Sequence, residues 1–104
     1  MYARVITFEL NGLNPTAYRA YAEEVAPGFT TWPGLIEKVW LAQDASGRCG
    51  GFYLFADKAA ADASRESELF QAMTAANAPF TDVRIEEYDV LAGPTGITSS
   101  QTVF

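Results

Sequence analysis

Residues Tyr2 to Leu10, YARVITFEL, alternate with a period of two: Tyr2, Arg4, Ile6, Phe8 and Leu10 fall on one side, Ala3, Val5, Thr7 and Glu9 on the other. In a run rich in β-branched and aromatic residues that period predicts a strand. Asn11-Gly12 breaks it, and Asn14 sets a capping side chain directly before Pro15 at the first helical position. The helix expected there, roughly Pro15 to Val25, stacks Tyr18, Tyr21, Ala22 and Val25 into one apolar stripe, and Pro27-Gly28 should end it. Phe29 to Pro33 reads as a loop carrying aromatics. Leu35 to Gln43, LIEKVWLAQ, predicts a second strand, and Asp44-Ala45-Ser46-Gly47 supplies the turn into a third, beginning at Arg48, so the two form a hairpin. Asp57 is placed to cap an alanine-rich helix over Lys58 to Ala76, with Leu69, Phe70 and Met73 on one side and Asn77-Ala78-Pro79 as its stop. Thr81 to Leu91 alternates again as a fourth strand, and Gly93-Pro94 opens a tail of small and polar residues.

Strand, helix, strand, strand, helix, strand is the βαββαβ order of the α+β ferredoxin-like fold: a four-stranded antiparallel sheet with two helices on one face. The strands, however, carry apolar residues at both parities: Val5 beside Ile6, Val39 beside Trp40, Phe52 and Leu54 beside Tyr53 and Phe55. A sheet with one wet face should alternate more cleanly. The helices suffice for one face, so the other is expected to be covered by a second copy, giving a two-fold homodimer packed sheet on sheet. Residues 1–93 then make the domain, and 94–104 a tail placed to touch the partner.

The 104 residues leave room for one domain, and 49% hydrophobic with 19% charged residues supports a packed core. A formal net charge of −6 repels phosphate backbones and anionic lipid, so neither nucleic acid nor a membrane surface is an expected partner. There is no histidine, which removes the usual base near neutral pH, the usual zinc and haem ligand, and any Ser-His-Asp arrangement. The single Cys49 excludes an internal disulfide and fits a reducing compartment. With no apolar run of membrane-spanning length and no export signal, the expected location is the cytoplasm.

Pro33-Gly34-Leu35, Glu37-Lys38-Val39-Trp40, then Gly50-Gly51-Phe52-Tyr53-Leu54-Phe55 and Asp57 before an alanine-rich helix resemble the YdhR-like monooxygenases, relatives of the antibiotic-biosynthesis monooxygenases in the dimeric α+β barrel superfamily. The resemblance is densest from Pro33 to Ala60. It implies a homodimer, a cavity between sheet and helices, and oxidation of a phenolic, quinol-like or polycyclic aromatic molecule by O₂ with no cofactor, neither metal nor flavin. The chain departs from haem-degrading relatives in having no histidine to hold iron, which argues against haem as a substrate.

Such chemistry asks the protein for a proton acceptor, hydrogen-bond donors at the developing oxyanion, and a dry pocket. Glu37 and Lys38 are neighbours in a strand and so point to opposite faces; either handles the proton, or both belong to salt bridges. Tyr53 is the third catalytic candidate. Trp40 either stacks on the substrate or fills the core, and Trp32 either closes the pocket mouth or contacts a partner. Phe52 and Tyr88 complete the expected substrate-binding set. Arg4 is placed to pair with Glu86 or Glu87, Gly50-Gly51 is read as a bulge or a point of close approach, and Cys49 as inert. Two further readings stand beside the oxygenase: a non-redox lyase, isomerase or cyclase, and a non-catalytic small-ligand-binding stress protein.

Overall fold

Alternation along the strands and capped helices between them produce eight elements. The computed structural model describes residues 1–99. They are β1 (Tyr2–Leu10), α1 (Pro15–Phe29), β2 (Leu35–Gln43), β3 (Arg48–Phe55), α2 (Lys58–Ser64), α3 (Glu68–Thr74), β4 (Phe80–Asp89) and α4 (Ala92–Thr98). The strands form one antiparallel sheet in the order β2-β3-β1-β4. This is the ferredoxin-like arrangement expected from the element order. The side chains of Asn14, Asp57 and Ser67 each accept a backbone N–H three residues on, capping α1, α2 and α3.

Three boundaries differ from expectation. Helix α1 runs through Pro27 to Phe29, because Phe29 is buried in the core and the Thr30 and Thr31 hydroxyls donate to the Pro27 and Gly28 carbonyls at its frayed end. The alanine-rich helix is two helices: the Ser67 hydroxyl donates to the Ser64 carbonyl and accepts from Phe70 N–H, so one serine ends the first turn sequence and caps the next. Helix α4, Ala92–Thr98, crosses the boundary expected at residue 93 and takes up the first part of the expected tail, while residues 100–104 lie outside the described residues. There is also no bulge at Gly50-Gly51. The irregularities fall between Leu35 and Glu37 in β2 and between Thr7 and Glu9 where β1 meets β4. What approaches Gly50 closely is β1 itself, since a Cβ there would collide with the Ile6 carbonyl and the Thr7 Cα.

Register assigns the two faces. Arg4 stands opposite Tyr53 and Glu87, and Tyr53 opposite Lys38, so Lys38, Tyr53, Arg4 and Glu87 form one row across all four strands. That row shares its face with Ile6, Phe8 and Phe55, which pack against Tyr18, Phe29, Ala61, Phe70 and Met73 of α1, α2 and α3. On the opposite face Ala3, Phe52 and Leu54 border α4, while Val39, Leu41 and Tyr88 remain exposed.

Arg4 is wholly buried, and each of its three nitrogens has a partner. Its Nε donates to Glu87 Oε2 (2.7 Å), Nη1 to Ser64 Oγ (2.7 Å) and Nη2 to the Ala61 carbonyl (2.6 Å), with the guanidinium carbon 5.0 Å from the Phe55 ring centroid. Burial pushes the Glu87 carboxyl up, but Arg4, helped by Arg65 at 3.3 Å, outweighs it and holds it below the usual carboxylate range. The expected Arg4–Glu pair therefore exists, with Glu87 as the partner. Removing one member of such a pair strands the other, at a cost of about 3–5 kcal/mol. Arg4→Met is expected to lower unfolding stability in urea by about that amount and Glu87→Gln by less, because Glu87 keeps some solvent. Additive losses in the double variant would mean that the two residues act independently.

Candidate functional site

At the β2 end of the polar row, Lys38 has none of the partners that Arg4 enjoys. Its Nζ lies 3.5 Å from the ring centroids of both Phe29 and Trp40, 4.5 Å from that of Tyr53, and donates to the Tyr53 hydroxyl at 2.8 Å. It makes no ion pair among the described residues. Burial lowers the basicity of the amine to about 7. The ring faces act in the opposite sense, favouring the ammonium through their quadrupoles. Burial also raises the Tyr53 phenol, with Arg4 along the row drawing it slightly back, so this hydroxyl stays protonated.

Each wall of the cage has a structural cause. Lys38 and Trp40 share a face because they are two apart on β2, and Tyr53 is the cross-strand partner of Lys38. Phe29 arrives from the last turn of α1. Gly51, opposite Trp40, leaves the space that the lysine stem crosses: a Cβ there would lie 3.1 Å from Lys38 Cε. Trp32 is buried and stacks on Tyr53 at 6.0 Å and 14°, and on Phe55 at 6.4 Å and 13°. It holds the tyrosine ring from behind and does not line the space around the amine.

Three spaces meet at Trp40. Inside, bounded by Lys38, Trp40, Tyr53, Tyr18, Phe29 and Gly50 among others, is a cavity of about 20 Å³, room for one water. Outside, two grooves of about 380 Å³ flank the indole: one with Tyr18, Arg19, Ala22, Glu23 and Ala26 of α1, the other with Phe29, Thr30, Leu35, Ile36 and Lys38. Grooves of that size suit small molecules.

The seven expected site residues thus divide. Lys38, Tyr53 and Trp40 come together, with Trp32 behind them. Glu37, Phe52 and Tyr88 face the other side of the sheet, with Glu37 and Phe52 in a recess beside α4 and the Tyr88 hydroxyl donating to Glu86; at the edge strand Glu37 also borders the outer groove that Lys38 and Trp40 line. Phe29 is the cage residue that the sequence reading left in a loop; its signal is the helix continuing through Pro27. Among the described residues no three His, Cys, Asp or Glu side chains converge as a metal site requires, and no helix is long and apolar enough to cross a membrane.

Residues 4–101 match the family model described as "Putative mono-oxygenase ydhR". The chain belongs to that family. Solved structures share its fold: the NE2512 protein of unknown function from Nitrosomonas europaea (22% identity, 88% of this chain and 89% of that one, TM-score 0.73) and SO0527 from Shewanella oneidensis (20%, 84% and 87%, TM-score 0.68). So does the heme-degrader MhuD from Mycobacterium tuberculosis, solved with two hemes in its active site (15%, 88% and 96%, TM-score 0.69). No curated protein sequence matches the chain. At these identities the structures speak for the fold, and the family for a mono-oxygenase ancestry.

The lysine makes stability depend on pH. An unfolded chain holds its lysine proton up to about pH 10.4, whereas the folded chain releases it near 7. Between those values the unfolded state binds more protons, so stability rises with pH through the window and the penalty is complete below it. Lys38→Met is accordingly expected to be more stable than the wild type below pH 7, with the advantage shrinking towards pH 9. Thermal melts of both proteins, compared as differences so that other groups cancel, read this directly. A gap constant from pH 6 to 9 would mean that Lys38 is not held in this way.

Proposed function

We propose that the Lys38 cage is the active site of a cofactor-independent monooxygenase acting on an acidic aromatic molecule of the phenol, quinol or anthrone kind. The observation that carries this reading is a lysine whose basicity burial has brought near neutrality, hydrogen-bonded to a protonated tyrosine inside aromatic walls. A general base works best with a pKa near the working pH, and a neutral amine in an apolar site meets that requirement where no histidine exists.

In this reading the aromatic substrate enters past Trp40 and stacks on its indole. Lys38 takes a proton from the activated O–H or C–H, and the ammonium formed pairs with the anion it has created. The Tyr53 hydroxyl donates to the oxygen where charge gathers. The delocalised anion reduces O₂ directly. For an anthrone-type methylene the balance closes within the substrate: two C–H hydrogens leave, one oxygen atom enters as the carbonyl, and the other departs as water. Exclusion of bulk water by the Phe29, Trp40 and Tyr53 rings keeps the ion pair strong.

Glu37, Phe52 and Tyr88 have a different part in the proposal. Their face carries the exposed Val39 and Leu41, with Leu91 and Ile97 at α4, more contiguous apolar surface than a solvated sheet keeps. A second copy packed on this face would cover it and complete an α+β barrel, with Glu37 at the recess beside α4.

Two measurements test these statements. Metal-stripped protein should accelerate O₂ uptake with an anthrone or a hydroquinone above the spontaneous rate. Lys38→Met should lower the rate by about 10²-fold or more, as loss of a general base does, and Trp40→Phe should raise KM. Product formed without O₂ consumption would instead make this an acid–base lyase or isomerase. For the assembly, light scattering at micromolar concentration should give a dimer and Val39→Glu with Leu41→Glu a monomer; a monomeric wild type would refute the sheet-on-sheet contact.

A further inference from the structure

The chain has two lysines, and their surroundings are opposite. Lys58 is exposed and bonded to Asp62 at 2.8 Å, a contact that raises its basicity. Lys38 has no carboxylate partner among the described residues, lies between ring faces and touches one polar group, the Tyr53 hydroxyl. Amines kept apart from acids in apolar walls are the ones that act as nucleophiles towards carbonyl carbon. Proton transfer alone would be served by a carboxylate; an amine at this position can also form a bond.

We propose that Lys38 is a covalent capture site for small aromatic aldehydes, which it binds as an imine at Nζ while Phe29 and Trp40 pack on the aldehyde's ring. The groove of about 380 Å³ on the β2 side gives the approach, since Lys38, Phe29 and Trp40 line it together with Leu35, Ile36 and Glu37, whose carboxylate makes no ion pair with Nζ. The neutral amine keeps two N–H bonds, so it can go on donating to the Tyr53 oxygen with its lone pair free. That lone pair adds to the carbonyl carbon; the C–N bond forms as the C=O π bond opens, and the carbonyl oxygen takes up the proton that nitrogen loses. Departure of this hydroxyl with the second nitrogen proton, as water, leaves the C=N bond. Nothing is oxidised or reduced, and the inner cavity of about 20 Å³ has room for the one water expelled. Burial favours the reactive free base near neutral pH, and Tyr53, the titratable group in contact with Nζ, stays protonated there.

This inference uses the same amine as the oxygenase reading without resting on it, because O₂ uptake and adduct formation are measured separately. Wild-type protein is incubated with 2-naphthaldehyde and sodium cyanoborohydride, which reduces the imine to a stable secondary amine, and the labelled positions are mapped by mass spectrometry. At limited labelling Lys38 is expected to exceed Lys58 by at least about tenfold at pH 7.5, where an ordinary lysine is almost wholly protonated. Its labelling should level off above pH 7 to 8 while that of Lys58 keeps rising. The Met1 amine controls for reactivity without a pocket. Replacing 2-naphthaldehyde by formaldehyde, which has no ring to stack, should shift the Lys38-to-Met1 ratio towards Met1, and Lys38→Arg should lose the preferred adduct. Labelling of Lys38 no faster than Lys58, or an identical Lys38-to-Met1 ratio with both aldehydes, would overturn the proposal.

Discussion

The structure depends on how one cross-strand row of polar side chains is buried. Lys38, Tyr53, Arg4 and Glu87 stand side by side across all four strands, on the face that the helices cover. A buried cation is tolerable only if its donors are matched. Arg4 meets that condition through a carboxylate, a hydroxyl and a carbonyl, supplied by β4 and α2. Because those partners come from elements distant in sequence, the arginine ties α2 to the central strand β1 and the edge strand β4, and the fold fixes its own geometry there. Lys38, one strand outside Tyr53, receives a phenol and ring faces and no acid. The imbalance does not threaten the fold, because a lysine relieves it by giving up its proton, a route closed to arginine. One end of the row is thus committed to structure, and the other is left chemically live.

Alternation at a period of two made the strands legible, and with them the element order, the opposite faces of Glu37 and Lys38, and the Arg4–Glu pairing. Less legible were features decided by tertiary packing. Pro27 reads as a helix stop, yet burial of Phe29 carries α1 two residues further and delivers the third wall of the cage. Ser67 splits an alanine-rich run that propensity alone would leave whole. The face of β2 that meets the helices follows from the irregularity between Leu35 and Glu37, which shifts the pairing with β3 by one residue. With that shift Lys38 lands opposite Tyr53 and Glu37 falls on the other face, where the pairing with β1 places Phe52 and Tyr88. Sequence could name all the chemical candidates but not sort them, because sorting needed the register.

The two faces then divide the labour. On the helix side, Trp32 stacked behind Tyr53 and Phe55 fixes the phenol, so the hydrogen bond to Lys38 is held by packing rather than by chance. Trp40 is the wall shared by the inner cavity and both outer grooves, on an edge strand where it has no further strand beyond it. On the other side the glycine at 50 brings β1 close and the apolar positions Val39 and Leu41 of β2 lie open. The association and the chemistry proposed above would therefore use opposite parities of the same strands, and a substitution at one parity need not disturb the other.

A lysine in this setting couples occupancy to protonation. With the cage empty, burial favours the free base; an anion seated beside Nζ would reverse that preference, since an opposite charge at contact favours the ammonium. Above about pH 7 a ligand that arrives as a neutral acid loses its proton to the free amine and needs none from solvent, so its uptake changes little with pH there. A ligand that arrives already ionised must draw a proton from solvent, and its affinity falls as pH rises above about 7. The cage thus discriminates between an aromatic acid taken up with its proton and a preformed anion. Nothing but the displaced basicity of one buried amine is needed for that discrimination, which is why the absence of histidine from the chain does not deprive it of a group that titrates near neutral pH.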